Sequence, residues 1–381
     1  SRQFAESVVD GNELVIQARF ADAAFFIHED LKQPLEAFLP RLGTLIFQKD
    51  LGSMLDKTHR VTALSEKLGK VTGLSQAELK HLVRAAELAK ADLVTHMVVE
   101  QTSLQGIMGR YYALQSGEDA LAAEAIYEHY LPAFAGDALP KTRAGFVLGL
   151  ADRLDSLIGL FSAGMAPTGT KDPFAQRRMA LGVIQLLTGW QQDMDLRQAL
   201  QTAAENLPIP CTPAVLDECL AFITARMKNE FLERGHPYDV VDAVLAVQSH
   251  NPYLALTAIQ QLAGWTKRAD WREILPAFSR CVRITRDKKE EFTIQPEGFT
   301  LQAEKDLYEA LLQAEGTERK PGSVDDFLNA FLPVIPVITR FFNEVLVMSE
   351  QETERRNRLG LLQRLARLSS SAAGLSYLEG F

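Results

Sequence analysis

The sequence predicts a mainly α-helical protein of several domains. Helical hydrophobic periodicity recurs along the chain, strand-like sequence is scarce, and breaks rich in Pro and Gly separate the helical blocks. The 381 residues are enough for two or three domains that each bury a core. Apolar residues make up 47% and charged residues 23%, which is typical of a soluble globular protein and excludes disorder and collagen-like structure.

The first helical block shows two clear helix patterns. Apolar residues at positions 55, 61, 64 and 68 predict a helix with one buried face. Ser75 is followed three residues later by Glu78, and this pair has the form of a capping box that opens a helix reaching Leu93. Both patterns predict amphipathic helices that pack on a common core.

The later part of the chain repeats the helical pattern. Thr212 and Pro213 supply a cap and a first-turn proline for a helix over 214–232, and the segment 238–245 is again amphipathic. The best strand candidate is the segment 291–301, where apolar residues flank a Pro-Glu-Gly sequence. A short hairpin and a loop between helical domains are equally compatible with it.

Breaker segments divide the chain into predicted domains. Residues 206–210 separate a first helical block from a second, and residues 287–300 separate the second from a third. The segment 13–20 has no start signal before it, so we expect the sequence to be cut from a longer chain. We predict the tail of a preceding domain at 1–50, then helical parts at 51–206, 207–290 and 291–381.

Charge is unevenly distributed along the sequence. The formal net charge of −9 argues against a generally basic nucleic-acid-binding surface, but it leaves room for a local one. Between positions 267 and 289 the chain has eight cations and three acids, namely Lys267, Arg268, Arg272, Arg280, Arg283, Arg286, Lys288 and Lys289 against Asp270, Glu273 and Asp287. Such clustering favours contact with phosphate, and a solvated helix face is the alternative.

The sequence also indicates the cellular compartment. The cysteines Cys211, Cys219 and Cys281 form no CxxC pair, which suits a reducing compartment. Residues 1–10 lack the basic and apolar segments of a signal peptide. Even the apolar run 327–347 contains Arg340 and Glu344, so no membrane span is expected. We therefore predict a cytoplasmic protein without a membrane partner.

Eight sequence blocks run in order through the chain and are weakest between about 200 and 300. They are 18–32, 47–57, 90–95, 105–112, 128–130, 151–155, 167–174 and 341–362. Together they resemble the β-subunit family of the heterotetrameric glycyl-tRNA synthetases. The resemblance implies a degenerate HD-like helical domain at 51–206, a helical linker region at 207–290, and a C-terminal helical anticodon-binding domain of the type shared with arginyl-tRNA synthetase at 291–381.

The same resemblance implies the partners and the missing chemistry. Its expected partners are tRNA(Gly) and the synthetase α subunit or a fused α region, with no DNA. The glycine and ATP site of the family resembles class II synthetases and lies on the α subunit, and nothing in this sequence matches the class II motifs. We therefore expect a non-catalytic part of an ATP-dependent ligase that has no cofactor of its own, with ATP and Mg at the α-subunit site.

The HD-like block is compared with a working HD phosphohydrolase, which holds a metal with a His, a His-Asp dyad and a distant Asp. Here Lys90 and Ala91 precede Asp92 where the dyad His is needed. Lysine has no lone pair for a metal, but its charge can replace the cation. We expect a degenerate pocket without metal, formed by His59, Lys90, Asp92, His129, Asp152 and Asp155.

Two alternatives to this degenerate pocket remain open. One is a residual metal site made of His59, Asp92, His129 and Asp152, which would belong to an HD-type metal-dependent phosphohydrolase. The other treats His59 as a helix-surface residue and His129 as a partly buried one, without any ligand. For the whole chain, a scaffold that binds only other proteins is a further alternative.

Candidate tRNA contacts lie in four segments. In the first two, Arg110 follows two glycines that allow close approach of another backbone, and Lys171 occupies a loop that either touches RNA or serves to cap the next helix through Asp172. Arginine suits the task because its fork donates to base edges and its plane stacks. The complete candidate set is Arg110, Lys171, Arg177, Arg178, Arg280, Arg283, Arg286, Arg340, Phe341, Asn343, Arg355 and Arg356.

Overall fold

The computed structural model describes the backbone of residues 2–381 and the side chains of residues 8, 9 and 11–381. α-Helices dominate it, and the sheet structure of the described residues is one two-stranded hairpin with an isolated bridge elsewhere. The predicted mainly α fold class is therefore confirmed. The chain forms two compact units, Ser1–Gln192 with Leu196–Ile223 and Asp193–Asp195 with Thr224–Phe381. The finer division into four parts stays a prediction.

The first unit contains the hairpin and the helices up to the first part of α10. Strands β1 (Ile46–Gln48) and β2 (Gly52–Ser53) pair antiparallel. The helices are α1 (Arg2–Asp30), α2 (Met54–Val71), α3 (Gln76–Leu88), α4 (His96–Glu100), α5 (Ile107–Gln115), α6 (Ala120–Glu128), α7 (Arg143–Ser162), α8 (Gln176–Gly189), α9 (Leu196–Ala204) and α10 (Pro213–Glu233). The division into units falls after Ile223, within α10.

Capping explains where two of these helices begin. The Ser75 side chain accepts from the Glu78 amide and Glu78 accepts from the Ser75 amide, so the predicted capping box is confirmed. Helix α2 begins with a second capping box, between Ser53 and Asp56. The expected extension of α3 to Leu93 is wrong, because α3 ends at Leu88 and a short 3-10 turn follows over Ala91–Val94.

Helix α7 is the centre of the first unit. Its side chains are buried on all sides over most of its length, which follows from a sequence that is apolar around the whole helix. Helices α2, α3, α6, α8 and α9 pack around it. Polar side chains in the buried part of α7 therefore have little contact with bulk water, and they need partners from the surrounding helices.

The second unit consists of seven further helices. They are α11 (Tyr238–Gln248), α12 (Pro252–Trp265), α13 (Trp271–Thr285), α14 (Gln302–Gly316), α15 (Val324–Phe331), α16 (Ile335–Glu344) and α17 (Glu352–Arg367). Helix α13 packs against α16 and α17. The segment 291–301 is a loop with a 3-10 turn at Pro296–Gly298, so of its two interpretations the hairpin is wrong.

Among the described helices, none is both long enough and apolar enough to cross a bilayer.

Candidate functional sites

A cluster of buried charges joins α2, α7 and the turn after α3. Helix α7 contributes Asp152 and Asp155, α2 contributes Lys57 and Arg60, and Lys90 comes from the turn after α3. In both helices the two residues are three positions apart, which places them on one face. We call these five residues the buried charge cluster.

Each carboxylate of the cluster is held by two cations. Lys57 Nζ lies 3.0 Å from Asp152 Oδ1 and 3.0 Å from Asp155 Oδ2. Lys90 Nζ donates to Asp152 Oδ2 at 3.0 Å, and Arg60 Nε donates to Asp155 Oδ1 at 2.8 Å. Lys57 and Asp152 Oδ1 form an ion pair but no hydrogen bond. Lys57 Nζ instead donates hydrogen bonds to the Asp152 carbonyl oxygen, Asp155 Oδ2 and Ser156 Oγ.

The two lysines differ in their electrostatic surroundings. Burial lowers the pKa of Lys57, but the carboxylates of Asp152 and Asp155 outweigh it and raise that pKa above its ordinary value. Burial lowers the pKa of Lys90 as well, the nearby Lys57 charge lowers it further, and the Asp152 carboxylate does not restore it to its ordinary value. For Asp152, burial favours the neutral form, yet the two lysines hold its pKa well below the usual range.

His129 accepts a hydrogen bond from Lys90, so neither of its ring nitrogens is free. Its Nδ1 lies 2.6 Å from the Ile126 carbonyl oxygen, which can only accept, so Nδ1 carries the proton. Nε2 then accepts from Lys90 Nζ at 2.8 Å. Burial first, and the Lys90 charge next, lower the pKa of His129 well below its ordinary value, so the ring is neutral at pH 7.

Asp92 lies beside this cluster and is turned towards backbone amides. Its Oδ2 accepts from the amides of Gly106 at 2.6 Å and Gly109 at 3.1 Å, whereas its buried Oδ1 has no hydrogen-bond partner among the described residues. Burial raises its pKa to about 6. Gly106 has a φ of 78°, and a Cβ there would meet the Tyr130 ring at 2.5 Å. The close approach that Gly106 and Gly109 allow is therefore to side chains of the protein itself, Tyr130 at Gly106 and Ile126 and Asp92 at Gly109.

His59 does not reach the cluster. It is exposed on α2, whereas Lys57, Arg60, Val61 and Leu64 point inwards from the same helix. The sequence-based placement of His59 in the pocket is therefore wrong, because His59 lies on the outer face of α2. The other five members, Lys90, Asp92, His129, Asp152 and Asp155, are all buried or lie in contact with the cluster.

The arrangement suits a structural role better than metal ligation. Lysines occupy both oxygens of Asp152, and Lys90 also occupies the free nitrogen of His129. Within the described residues no group of three or more His, Cys, Asp or Glu side chains is arranged to hold a metal. The four residues of the alternative metal site are thus not brought together, because His59 is on the surface and Asp92 faces amides.

Lys57 and Arg60 were missed at the sequence level, although a signal for them exists. The apolar positions 61, 64 and 68 define the buried face of α2. Lys57 precedes Val61 by four residues and Arg60 precedes Leu64 by four, so both fall on that face. A charged residue at a predicted core position indicates a buried partner of opposite charge.

The predicted contacts of the first unit are partly engaged within the protein. Arg110 pairs with Glu124 at 3.0 Å and lies over the Tyr127 ring. Arg177 lies 3.7 Å from Asp172 and donates to the Gly169 carbonyl. Asp172 accepts from the amides of Gln176 and Arg177, so it does cap α8. Lys171 and Arg178 are exposed, and no acid of the described residues pairs with either.

The predicted contacts near the C-terminus are also mostly occupied. Arg340 pairs with Asp306 at 2.7 Å and Glu344 at 2.9 Å. Arg356 pairs with Glu290 and lies 5.0 Å from the centre of the Phe292 ring. Arg355 is half-buried and donates to the Ser349 carbonyl. Asn343 is exposed.

The predicted contact of Phe341 with RNA is also wrong. The exposed fraction of this residue is 0%. The physical reason is the amphipathic pattern of α16, in which Ile338 and Phe341 share the buried face. The neighbouring Phe342 is only half-buried and packs edge-on against Phe341 with ring centroids 5.6 Å apart.

The cations of helix α13 form the most open basic surface among these candidates. Arg272, Arg280 and Arg283 are exposed, and within the part of the chain that the structure describes no carboxylate lies in ion-pair distance of them. Arg286, at the end of the helix, lies 3.9 Å from Asp287. With about 3.6 residues per turn, these four positions fall on one side of α13. We call them the α13 basic face.

Comparison with known proteins places the chain in a family. The family model described as glycyl-tRNA synthetase beta subunit matches residues 1–246. The glycine–tRNA ligase beta subunit of Moorella thermoacetica is 39% identical over 98% of this chain, and that of Clostridioides difficile is 39% identical over 94%. A glycine–tRNA ligase of Arabidopsis thaliana named chloroplastic/mitochondrial 2 is 35% identical over 98% of the chain.

The matches cover only part of each relative. This chain spans 55% of the Moorella protein, 53% of the Clostridioides protein and 35% of the Arabidopsis protein. It thus corresponds to about half the length of the bacterial relatives. Because the identity extends over nearly the whole of this chain and through both structural units, the chain belongs to the glycyl-tRNA synthetase β-subunit family.

Proposed function

We propose that this chain is the tRNA-binding, non-catalytic part of a glycine–tRNA ligase β subunit. In this proposal it holds tRNA(Gly) and positions it for aminoacylation at an active site on the α subunit, where ATP and Mg bind. Holding the acceptor end near that site would raise its effective concentration. The names of the relatives support the ligase context, and location in the cytoplasm stays a prediction because the Arabidopsis relative is named for organelles.

The observation that carries the proposal is the α13 basic face. A cation already paired with a carboxylate gains little by meeting phosphate, because it must give up its partner. Arg272, Arg280 and Arg283 have no such partner among the described residues, although the chain has a net charge of −9. A local cationic surface on an acidic protein is suited to phosphate contact through counterion release.

The buried charge cluster argues against the first alternative function, and the α13 basic face argues against the second. An HD-type phosphohydrolase needs open metal ligands, whereas here Lys57 and Lys90 hold both oxygens of Asp152. A scaffold that binds only proteins gives no reason for a row of unpaired arginines on one side of a helix. The tRNA-binding function accounts for both features, because it needs the cations and does not need the metal.

Binding of tRNA(Gly) and of a non-cognate tRNA, measured against salt concentration, tests the proposal. We expect binding that weakens steeply with salt, because counterions are released. Replacing Arg272 or Arg283 by Gln should reduce the slope of log K against log salt by about 1 per cation removed. No binding, or binding that salt does not affect, would contradict the proposal.

Arg340→Gln is the matched control for these variants. Arg340 is also exposed but is paired with Asp306 and Glu344. Its replacement should therefore leave the slope almost unchanged. If Arg340→Gln lowers the slope as much as Arg272→Gln does, the distinction between paired and unpaired arginines is wrong and the interface includes α16.

A further inference from the structure

We infer that Arg280 and Phe342 form a stacking platform for one unpaired nucleobase of the bound RNA. This inference rests on the proposed tRNA-binding function and deepens it, because it assigns a base-binding role to one cation of a surface that otherwise contacts phosphate. It places the subsite in the second unit, between helices α13 and α16, which pack against each other.

The first observation is the geometry of the pair. The guanidinium carbon of Arg280 lies 4.3 Å from the centre of the Phe342 ring, which is the distance of a stacked cation–π contact. Arg280 is exposed, whereas Phe342 is half-buried. The contact thus joins a half-buried ring to the guanidinium of an exposed arginine.

The second observation is the packing of the Phe342 ring within the protein. Phe342 packs edge-on against Phe341, which is fully buried, with their rings at 82° to each other. A side chain fixed in this way loses little rotamer freedom on binding. Among the other exposed arginines of the α13 basic face, Arg283 lies farther from a ring, at 5.8 Å from the centre of Phe381.

The third observation concerns competing partners. Within the described residues no carboxylate lies in ion-pair distance of Arg280, so its guanidinium plane is not turned towards an acid. A guanidinium plane stacks on nucleobases as an aromatic ring does, and this contact does not depend on base sequence. A base in a duplex already has stacking partners on both sides. The ligand of this platform is therefore an unpaired base, as found in a loop or at a single-stranded end.

The Arg280→Lys variant of this chain separates stacking from charge. Lysine keeps the positive charge but has no plane to stack. Binding to a hairpin RNA with an unpaired loop should weaken by about 10-fold, in the range known for stacking of one base, whereas the salt slope should stay as in the wild type. Binding to a blunt duplex of equal length should not change. Arg234→Lys, at an exposed arginine that pairs with Glu230 outside the α13 basic face, should leave all three measurements unchanged.

An abasic scan of the loop completes the test as a double-mutant cycle. In the wild type, removal of one particular base should weaken binding by about 10-fold, and in Arg280→Lys the same removal should have no effect. Phe342→Leu should reproduce the Arg280→Lys result. Melting temperatures of all variants establish that they are folded.

The outcomes distinguish this inference from the proposed function. If Arg280→Lys binds looped and duplex RNA as the wild type does, or weakens both equally, the stacking platform is wrong although RNA binding stands. If the abasic scan shows the same loss in wild type and variant, the platform is likewise overturned. If the wild type binds no RNA in any salt, the proposed function itself fails.

Discussion

Lys57 and Lys90 are two buried lysines that face the same carboxylate, yet their pKa values move in opposite directions. Burial lowers both pKa values, so the difference lies in the neighbours. Lys57 meets two carboxylates, Asp152 and Asp155, whereas Lys90 meets one carboxylate and feels the charge of Lys57. At the residue scale, the number of opposing charges therefore decides how well each cation is stabilised.

We predict that Lys57→Met destabilises the protein more than Lys90→Met. Removing the sole partner of a buried ion costs about 3–5 kcal/mol, and the cost is smaller where a second cation remains. Lys57→Met takes one of two cations from both carboxylates and leaves Lys90 on Asp152 and Arg60 on Asp155, whereas Lys90→Met takes one cation from Asp152 alone. Urea unfolding measures the free energies, and Lys171→Met, at an exposed site, should change them by less than about 0.5 kcal/mol. An equal or larger loss for Lys90→Met would disprove the ranking.

The second prediction at the residue scale concerns the effect of Asp92 on how the stability of the protein depends on pH. Burial raises its pKa from 3.8 to about 6, so between these values the folded state binds more protons than the unfolded state. Its contribution to stability therefore decreases as pH rises from 4 to 6. Asn at this position cannot ionise, so the stability of wild type minus that of Asp92→Asn should fall by about 2 kcal/mol between pH 4 and 7. Chemical unfolding at several pH values checks this, and a constant or rising difference would refute it.

The contact between α7 and α8 depends on one large side chain fitting against a glycine. Arg153 of α7 donates to the carbonyls of His129, Gly149, Tyr130 and Pro132, and it thereby holds the chain that follows α6. A Cβ at Gly182 of α8 would meet the Nε and Cδ atoms of this arginine. Because four hydrogen bonds fix the guanidinium, Arg153 cannot swing aside without breaking them.

We therefore predict that Gly182→Ala destabilises the protein by about 1–3 kcal/mol, the usual cost of overpacking. Gly264→Ala in α12 is the matched control, since nothing lies within 4 Å of the Cβ it would add. Alanine has the higher helix propensity, so the control should be neutral or stabilising by up to about 1 kcal/mol. Thermal unfolding of both variants checks the pair, and the prediction fails if the two substitutions have the same sign of effect.

The prediction for the whole molecule is that added metal does not stabilise it. If ammonium groups supply the charge in the buried cluster, millimolar Mn²⁺ added after chelator treatment should leave the melting temperature unchanged. A ligand at 1,000 times its Kd would instead stabilise the folded state by about 4 kcal/mol. Stoichiometric metal by elemental analysis, together with phosphatase activity that Asp92→Ala abolishes, would establish the hydrolase alternative.

Much of the fold at the whole-molecule scale follows from local sequence patterns. The mainly α class, the capping box at Ser75, and helices beginning near Pro213 and Tyr238 are predicted because caps and periodicity act within a few residues of each other. The end of α3 and the β1–β2 hairpin were not predicted. The 3-10 turn after α3 is stabilised by contacts of Asp92 with distant amides, and no local pattern contains them.

The candidate sites show the same division. Sequence predicted that Lys90 would meet a carboxylate on α7, and the structure shows the ion pair with Asp152. It did not find Lys57 and Arg60, and it placed His59 on the wrong face of α2. A side chain is inside or outside according to the rotation of its helix about the core, and tertiary packing sets that rotation.

By itself, the sequence determined the helical class, the family resemblance and the uneven charge, because each of these depends on residue types and their order. Only the tertiary structure decided which cations are available to a partner. Arg340 and Arg356 meet carboxylates from other elements, Phe341 turns into the core, and Arg280 lies on Phe342. Availability is a property of pairs of residues distant in sequence, so it is settled by the packing of α13, α14, α16 and α17 and not by the composition of any one of them.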